Sequence, residues 1–408
     1  MDKKLQKYAE LIVKQGVNLQ PGEPVAIFAP ILAADLVREV ADQAYRSGAP
    51  KVTVFWSDGE LSRLAYDYQT EETLTNIPQW VVDSRNYIVD TKAVSINIIS
   101  ELPDLLKNIP PQKVTAAGRA TSKALARFRE STGSNQTRWC IVAYPNVEWA
   151  KKMFPELSDK AALEKQWKYL HKTVRLDKTD TLGAWRKHAA KLAKRSRFLN
   201  RAKIVSFHYK NSIGTDFTIG MPKGYIFTGA VEKGGGGVDF TANIPTEEVF
   251  SCPDKFSANG TLVSAKPLVR SGGIMENFKL TFKDGRIVDY SAEKGYETLK
   301  GIIETDEGSH YLGEIALVGY NSPIQNLNTL FYNTLFDENA SCHFAIGRAF
   351  PGCIKGGDKM TKEQLAKAGL NDSLEHVDIM IGTEDLSIIA TTEKGEEIEI
   401  FKNGDWVI

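Results

Sequence analysis

The stretch from Glu23 to Trp56 constrains the fold more than any other part of the chain. EPVAIFAP is an apolar run of strand length, ILAADLVREVADQAYRSG an amphipathic helical pattern closed by Gly48, and KVTVFW a second apolar run. Strand, helix and strand in that order make a βαβ unit. Alternation continues through WVVDSRNYIVD, the short run VSINIIS, a helix over TSKALARFRESTG and a strand over RWCIVAYP. The expected product is an open α/β sheet covered by helices. Residues 156–200, rich in Lys, Arg and Ala, predict helices with solvated faces. Beyond them KIVSFHYKNSIGTDFTIGM, NFKLTFKDGRIVDYSAE and LSIIATTEKGEEIEIFKNGDWVI carry β-rich runs around Asn, Asp and Gly, with Lys283-Asp284-Gly285 the best hairpin signal. Shorter helices are expected over 327–338 and 361–369. The fold class is α/β: an N-terminal α/β domain over 1–190, then a β-rich α+β domain over 191–408.

A chain of 408 residues is longer than one hydrophobic core usually organises, which agrees with two domains. Lys plus Arg and Asp plus Glu are equal at 51, so no net positive charge draws the chain to nucleic acid. The N-terminal MDKKLQKYAELIVKQG spaces Leu5, Tyr8, Leu11 and Ile12 as one helix face and lacks the continuous apolar core of a signal peptide. No run reaches the length of a membrane span. Four cysteines without a CxxC pair fit a reducing compartment, and a cytoplasmic, membrane-free protein is expected.

Chemistry concentrates in the second half. HVDIMIG reads as a strand, on which His376 and Asp378 point the same way. Upstream lie Glu248 in NIPTEEVF, Glu314 in YLGEIALVGY, and Glu338 and His343 in DENASCHFAIGRAF. Carboxylate oxygens and imidazole nitrogens together suit zinc, cobalt, manganese or magnesium, whereas thiolate chemistry would need paired cysteines. Four carboxylates gathered without cations would repel one another and raise one another's pKa. Taken singly, each residue also has a plain structural role: His376 and Asp378 a hydrogen-bonded pair, Glu314 an exposed strand start, Glu247 and Glu248 the acidic first turn of a helix.

In order and interval, NIPTEEVF, YLGEIALV, FDENASCHFAIGRAF and HVDIMIG resemble the metal-site segments of the thermophilic-type metallo-aminopeptidases, the family of aminopeptidases T and S and peptidase S. YAELIVKQGVNLQPGEPVAIFAP and GTDFTIGM are also similar to that family, so the resemblance covers nearly the whole chain. It implies that Glu248, Glu314, Glu338, His343, His376 and Asp378 hold two divalent ions, and that the substrates are peptides with a free N-terminus. It selects Glu248 as the ligand by its interval to Glu314, which leaves Glu247 as candidate general base. It also implies a homodimer enclosing the sites. One departure stands out: seven residues after His343, where the family usually has tyrosine, this chain has Phe350, which cannot donate a hydrogen bond. Tyr320 or Tyr332 would have to substitute if a phenol is needed.

The expected reaction is release of N-terminal residues by a metal-activated water. Two alternatives stay open at this point: a metal-dependent hydrolase of other amides or esters, and a ligand-binding protein without catalysis, although no GxGxxG follows PVAIFAP. The glycine run of Lys233–Gly237 has no Lys-Ser/Thr after it and reads as a loop. Cys342 reads as a small buried residue, His171, His188 and His208 as ordinary histidines, and His310 as a possible partner of Glu314.

Overall fold

The structure, a computed structural model, describes residues 3–270 and 273–408. The chain divides into two compact units, residues 1–186 with 231–245, and residues 187–230 with 246–408. The return of 231–245 to the first unit is absent from a simple division at 190. It arises because Asn243–Ile244 adds a parallel strand to the N-terminal sheet.

In the first unit Val25–Pro30 (β1), Val52–Ser57 (β2), Val94–Ile99 (β3), Trp139–Ala143 (β4) and Asn243–Ile244 (β5) form a parallel sheet in the order β2-β1-β3-β4-β5. The crossover helix Ala34–Arg46 (α1) buries Leu36, Val37, Val40 and Ala44, the i, i+1, i+4 and i+8 positions of one face. The N-terminal helix runs Lys3–Leu11 and continues as a π-helical turn over Ile12–Gly16; Met1 and Asp2 lie outside the described residues. By contrast, Gly59–Tyr68 (α2) buries nothing and Gln79–Asp90 (α3) buries only Ile88.

The second unit is mostly antiparallel. A large sheet is built around Ile204–Lys210, Asp216–Gly220, Gly273–Lys283 and Ser387–Thr392. Its hairpin at Lys283-Asp284-Gly285 has positive φ at Asp284 and Gly285, the conformation a tight two-residue turn requires. A second sheet contains Val249–Ser251 (β6), Leu312–Leu317 (β7), His343–Gly347 (β8) and His376–Met380 (β9), in that order. Phe344 of β8 meets Tyr209 and Phe217 of the large sheet edge-on, at 5.0 and 5.2 Å between ring centroids, so one face of the smaller sheet is core.

The helix expected over 327–338 does not form. Asn328 and Tyr332 take left-handed backbone angles, and only Thr334–Asp337 is α-helical, followed by a 3-10 turn over Glu338–Ala340. The Asp337 carboxylate accepts N–H bonds from Phe331 and Asn333, which rewards the broken backbone over a continuous helix. The expected helix at 361–369 is Lys362–Lys367, started by a capping box between Thr361 and Gln364. No helix among the described residues is long and apolar enough to cross a membrane.

Candidate metal centre

Directly opposed residues of antiparallel strands share a face. Glu314 on β7 pairs with Ala345 on β8, and Ala345 with Asp378 on β9, so two carboxylates flank one small side chain. His343 and His376 lie on the same face, opposite Met380 and Gly347. Glu248 immediately precedes β6, whose Phe250 pairs with Ala316, two residues after Glu314. The other face carries Ile315, Leu317, Phe344, Ile346, Val377 and Ile379, all buried. Polar-over-apolar alternation thus mounts the site on a rigid floor.

A bulge makes this possible. Leu312 pairs with Ile346 on the core face, yet Glu314, two residues on, pairs with Ala345 on the site face, because the register shifts between them. Gly313 occupies the shift. A Cβ there would lie 2.3 Å from the Gly347 carbonyl oxygen and 2.4 Å from the Arg348 carbonyl carbon, so only glycine fits.

Two triads result: Glu248, Glu314 and His343, and Glu314, His376 and Asp378, each with its ligand atoms within 4.8 Å of one another. Glu314 belongs to both. One of its oxygens lies 3.7 Å from His343 Nε2 and the other 3.3 Å from His376 Nε2. Glu248 lies 3.2 Å from His343 Nε2, and Asp378 3.6 Å from His376 Nε2. Glu338, on the turn between the short helix and β8, belongs to neither triad; burial, and then Asp378 and Glu248, push its carboxyl well above the usual range.

The remaining charges respond as a cation-seeking set would. Burial raises the Glu248 carboxyl, and His343 offsets part of that. Burial also acts to raise Glu314, but hydrogen bonds from His343 and His376 bring it down to about 2. Burial acts to lower both histidines; Glu248 and Glu314 nevertheless hold His343 well above its ordinary value, and Asp378 and Glu314 bring His376 to about 9. Each Nδ1 faces a backbone carbonyl, Ser341 at 3.1 Å for His343 and Arg348 at 2.7 Å for His376. Those contacts set Nδ1 as the donor to the backbone and aim each Nε2 into the cluster, where it holds a proton for the carboxylates and would offer a lone pair once that proton is displaced. Four carboxylates and two such imidazoles match two divalent cations in charge and in donor type.

Glu247 takes a different direction. Its carboxylate is 3.7 Å from His188 Nε2, which also bonds the Thr246 carbonyl at 2.8 Å. His188 thus sits largely buried beside Glu247. His310 sits instead among Arg286, Glu304, Asp306 and Glu307. Burial pushes the Cys342 thiol up to about 12, which makes it inert, and the glycine run is the turn of a hairpin in the first unit. Phe350 stands against His376, 4.8 Å between ring centroids, and edge-on to Phe250.

Sequence reasoning missed Asn339. Fully buried, it accepts the Glu247 N–H at 2.7 Å and donates to Leu335 O and to Glu338 at 3.0 and 3.2 Å, pinning together two segments that carry candidate ligands. Its neighbour Glu338 was the nearest signal, and nothing in the sequence links it to Glu247.

The model of the thermophilic metalloprotease (M29) family matches residues 1–406. The chain belongs to this family. It is 43% identical to aminopeptidase AmpS of Bacillus subtilis and 41% identical to aminopeptidase 2 of Geobacillus stearothermophilus, in both cases over 99% of this chain and 98% of the relative. The solved structure of wild-type AmpT from Thermus thermophilus superposes with a TM-score of 0.93 at 34% identity, covering 100% of this chain and 99% of the other.

Proposed function

We propose that this chain is a metallo-aminopeptidase that releases N-terminal residues from peptides at a two-cation site. The observation that carries the reading is Glu314, whose two oxygens face two different histidines and which is the one residue shared by both triads. Two ions held by Glu248, Glu314, Glu338, His343, His376 and Asp378 would supply Lewis acidity toward the scissile carbonyl and a water of lowered pKa. Zinc, cobalt, manganese and magnesium all accept such a donor set.

The chain's own groups do the rest. The Nδ1 contacts of His343 and His376 keep both rings in one orientation, which costs no reorganisation during reaction. Glu247 is the proposed proton acceptor, steadied by His188 and by the bond from its own N–H to Asn339. Phe350 packs against the His376 ring and supports its orientation.

A homodimer is part of the proposal. Trp56, Leu61, Leu64, Tyr68 and Trp80, on or beside α2 and α3, are 48–83% exposed, an apolar content that a partner copy would cover. The four cysteines are free and buried, which supports a reducing, cytoplasmic setting.

The test is hydrolysis of aminoacyl anilides and their N-acetyl forms, before and after chelation and with each metal restored. Activity that needs the free amine, vanishes with chelator and is absent in His376→Ala supports the reading. Equal cleavage of acetylated and free substrates would sink it in favour of a general amide hydrolase.

A further inference from the structure

His376 takes its orientation from one carbonyl, that of Arg348, which receives its Nδ1–H at 2.7 Å. Arg348 lies one residue past the end of β8, so strand pairing no longer holds its peptide unit. Asn371, in the loop that leads into β9, holds the residues on either side of it. The Asn371 Nδ2 donates to the Gly347 carbonyl at 2.7 Å, and its own main-chain carbonyl accepts the Ala349 N–H at 2.9 Å. Between these two grips the Arg348 N–H meets the Glu375 carbonyl at 2.8 Å, which leaves the Arg348 carbonyl facing His376.

The same amide ties in a third segment. Nδ2 also donates to the Gly308 carbonyl at 2.7 Å, with the Tyr311 carbonyl farther out at 3.4 Å, and Tyr311 in turn accepts the Gly347 N–H at 2.8 Å. Gly308 and Tyr311 lie just before β7, the strand of Glu314. One side chain, 3% exposed, thus joins the approach to β7, the end of β8 and the approach to β9. The Gly347 carbonyl that it holds is also the atom that crowds Gly313 at the bulge. Reversing the amide would set its oxygen against the Gly308 and Gly347 carbonyl oxygens, so the donor side is fixed by its surroundings. It keeps this pose although the buried Oδ1 has no partner among the described residues. A bare buried acceptor is unfavourable, so the two short donor bonds outweigh it.

We propose that Asn371 is a positioning residue for the metal centre. By holding the peptide units on both sides of Arg348 it aims that carbonyl at His376 Nδ1, and so presents Nε2 to Glu314 and Asp378. This rests on the two-cation reading above. His343 is the internal control, because its Nδ1 faces the Ser341 carbonyl, to which no Asn371 hydrogen bond leads. Groups that orient a ligating imidazole change metal affinity by about ten- to a hundredfold, and Asn371, one step removed, should change it about tenfold.

The experiment is nitrogen-15 spectroscopy of the six histidines in the metal-free full chain, comparing wild type with Asn371→Ala and Asn371→Ser. Wild type should show Nδ1–H signals of His343 and His376 protected from exchange with water. In Asn371→Ala the His376 signal should exchange about tenfold faster while that of His343 stays, and Asn371→Ser, which keeps one donor, should restore part of the protection. Both signals unchanged, or both lost together, overturns the proposal. So does an unprotected His376 Nδ1–H or Asn371 Nδ2 pair in wild type, a result that does not depend on either variant folding. Zinc titration then reads the centre: one of two affinities should fall about tenfold in Asn371→Ala with the other retained, and an equal fall in both overturns the proposal. Wild type that binds no zinc would sink the two-cation reading instead, while the metal-free spectra still decide whether Asn371 orients His376.

Discussion

Loading the metal-free site at neutral pH should expel protons. Burial acts to lower the His376 imidazole, but Asp378 and Glu314 overcome it and hold the pKa at about 9. At pH 7, about two units lower, the ring is mostly protonated. A cation needs that Nε2 lone pair, so competition with the proton weakens apparent affinity by about two orders of magnitude, roughly 3 kcal/mol. His343, held high by Glu248 and Glu314, adds a second proton, and the raised Glu338 carboxyl adds up to a third. The sign follows from the direction of the shift. With the folded, metal-free value above the ordinary 6.5, the stability this imidazolium gives the metal-free fold is complete below about pH 6.5 and lost as pH rises through about 9. Metal affinity runs the opposite way, rising between pH 7 and 9 and levelling above. Calorimetric titration of zinc into chelated protein, in two buffers of different ionisation enthalpy, counts the protons. Release of fewer than one proton per chain at pH 7, or an affinity flat from pH 6.5 to 8.5, would refute the reasoning.

Three substitutions probe the site's construction. Ala345→Leu puts a branched side chain between Glu314 and Asp378; it should cost about 1–3 kcal/mol by overpacking and lower bound metal by at least one ion per chain, read by elemental analysis. Asn339→Ala leaves the Glu247 N–H unsatisfied and frees Glu338, so denaturant unfolding should show a loss of about 2–3 kcal/mol and metal should bind more weakly. Phe350→Tyr adds a donor beside His376; kcat should rise about tenfold with KM and metal content little changed, and an unchanged or lower kcat would show that the phenol has no place in this chain's chemistry.

The sequence carries local patterns well and cross-strand register poorly. The apolar runs PVAIFA and KVTVFW and the helix between them follow from periodicity, and each appears as a strand or helix of the parallel sheet. His376 and Asp378 could be put on one face because strand parity is a property of two residues. The broken helix at 327–338 was hidden because its competitor is a set of Asp337 side-chain bonds, visible only once Phe331 and Asn333 have folded back. Asn339 was hidden for the same reason, since its partner Glu247 is 92 positions away. The family resemblance supplied the candidate ligand set, while the means of convergence lay in pairings that no single segment displays.

Gly313 shows how much of the centre depends on such a pairing. YLGEIALV read as an uninterrupted strand puts Leu312 and Glu314 on one face, either both in the core or both in the cleft, and neither arrangement gives a buried leucine and a ligand carboxylate. The register shift at Gly313 resolves the conflict by letting Leu312 face Ile346 while Glu314 faces Ala345. Backbone atoms of Gly347 and Arg348 crowd that point, so Gly313→Ala cannot be absorbed by a side-chain rotation. The variant must push β7 and β8 apart or lose the bulge, and losing it slips Glu314 toward the core face. Glu314 is the residue common to both triads, so both should fail together: metal content should fall toward zero, not by half, with a stability loss of about 1–3 kcal/mol. Elemental analysis of folded Gly313→Ala decides the matter. Loss of one ion with the other retained would mean that Glu314 serves a single cation and that the two triads are independent.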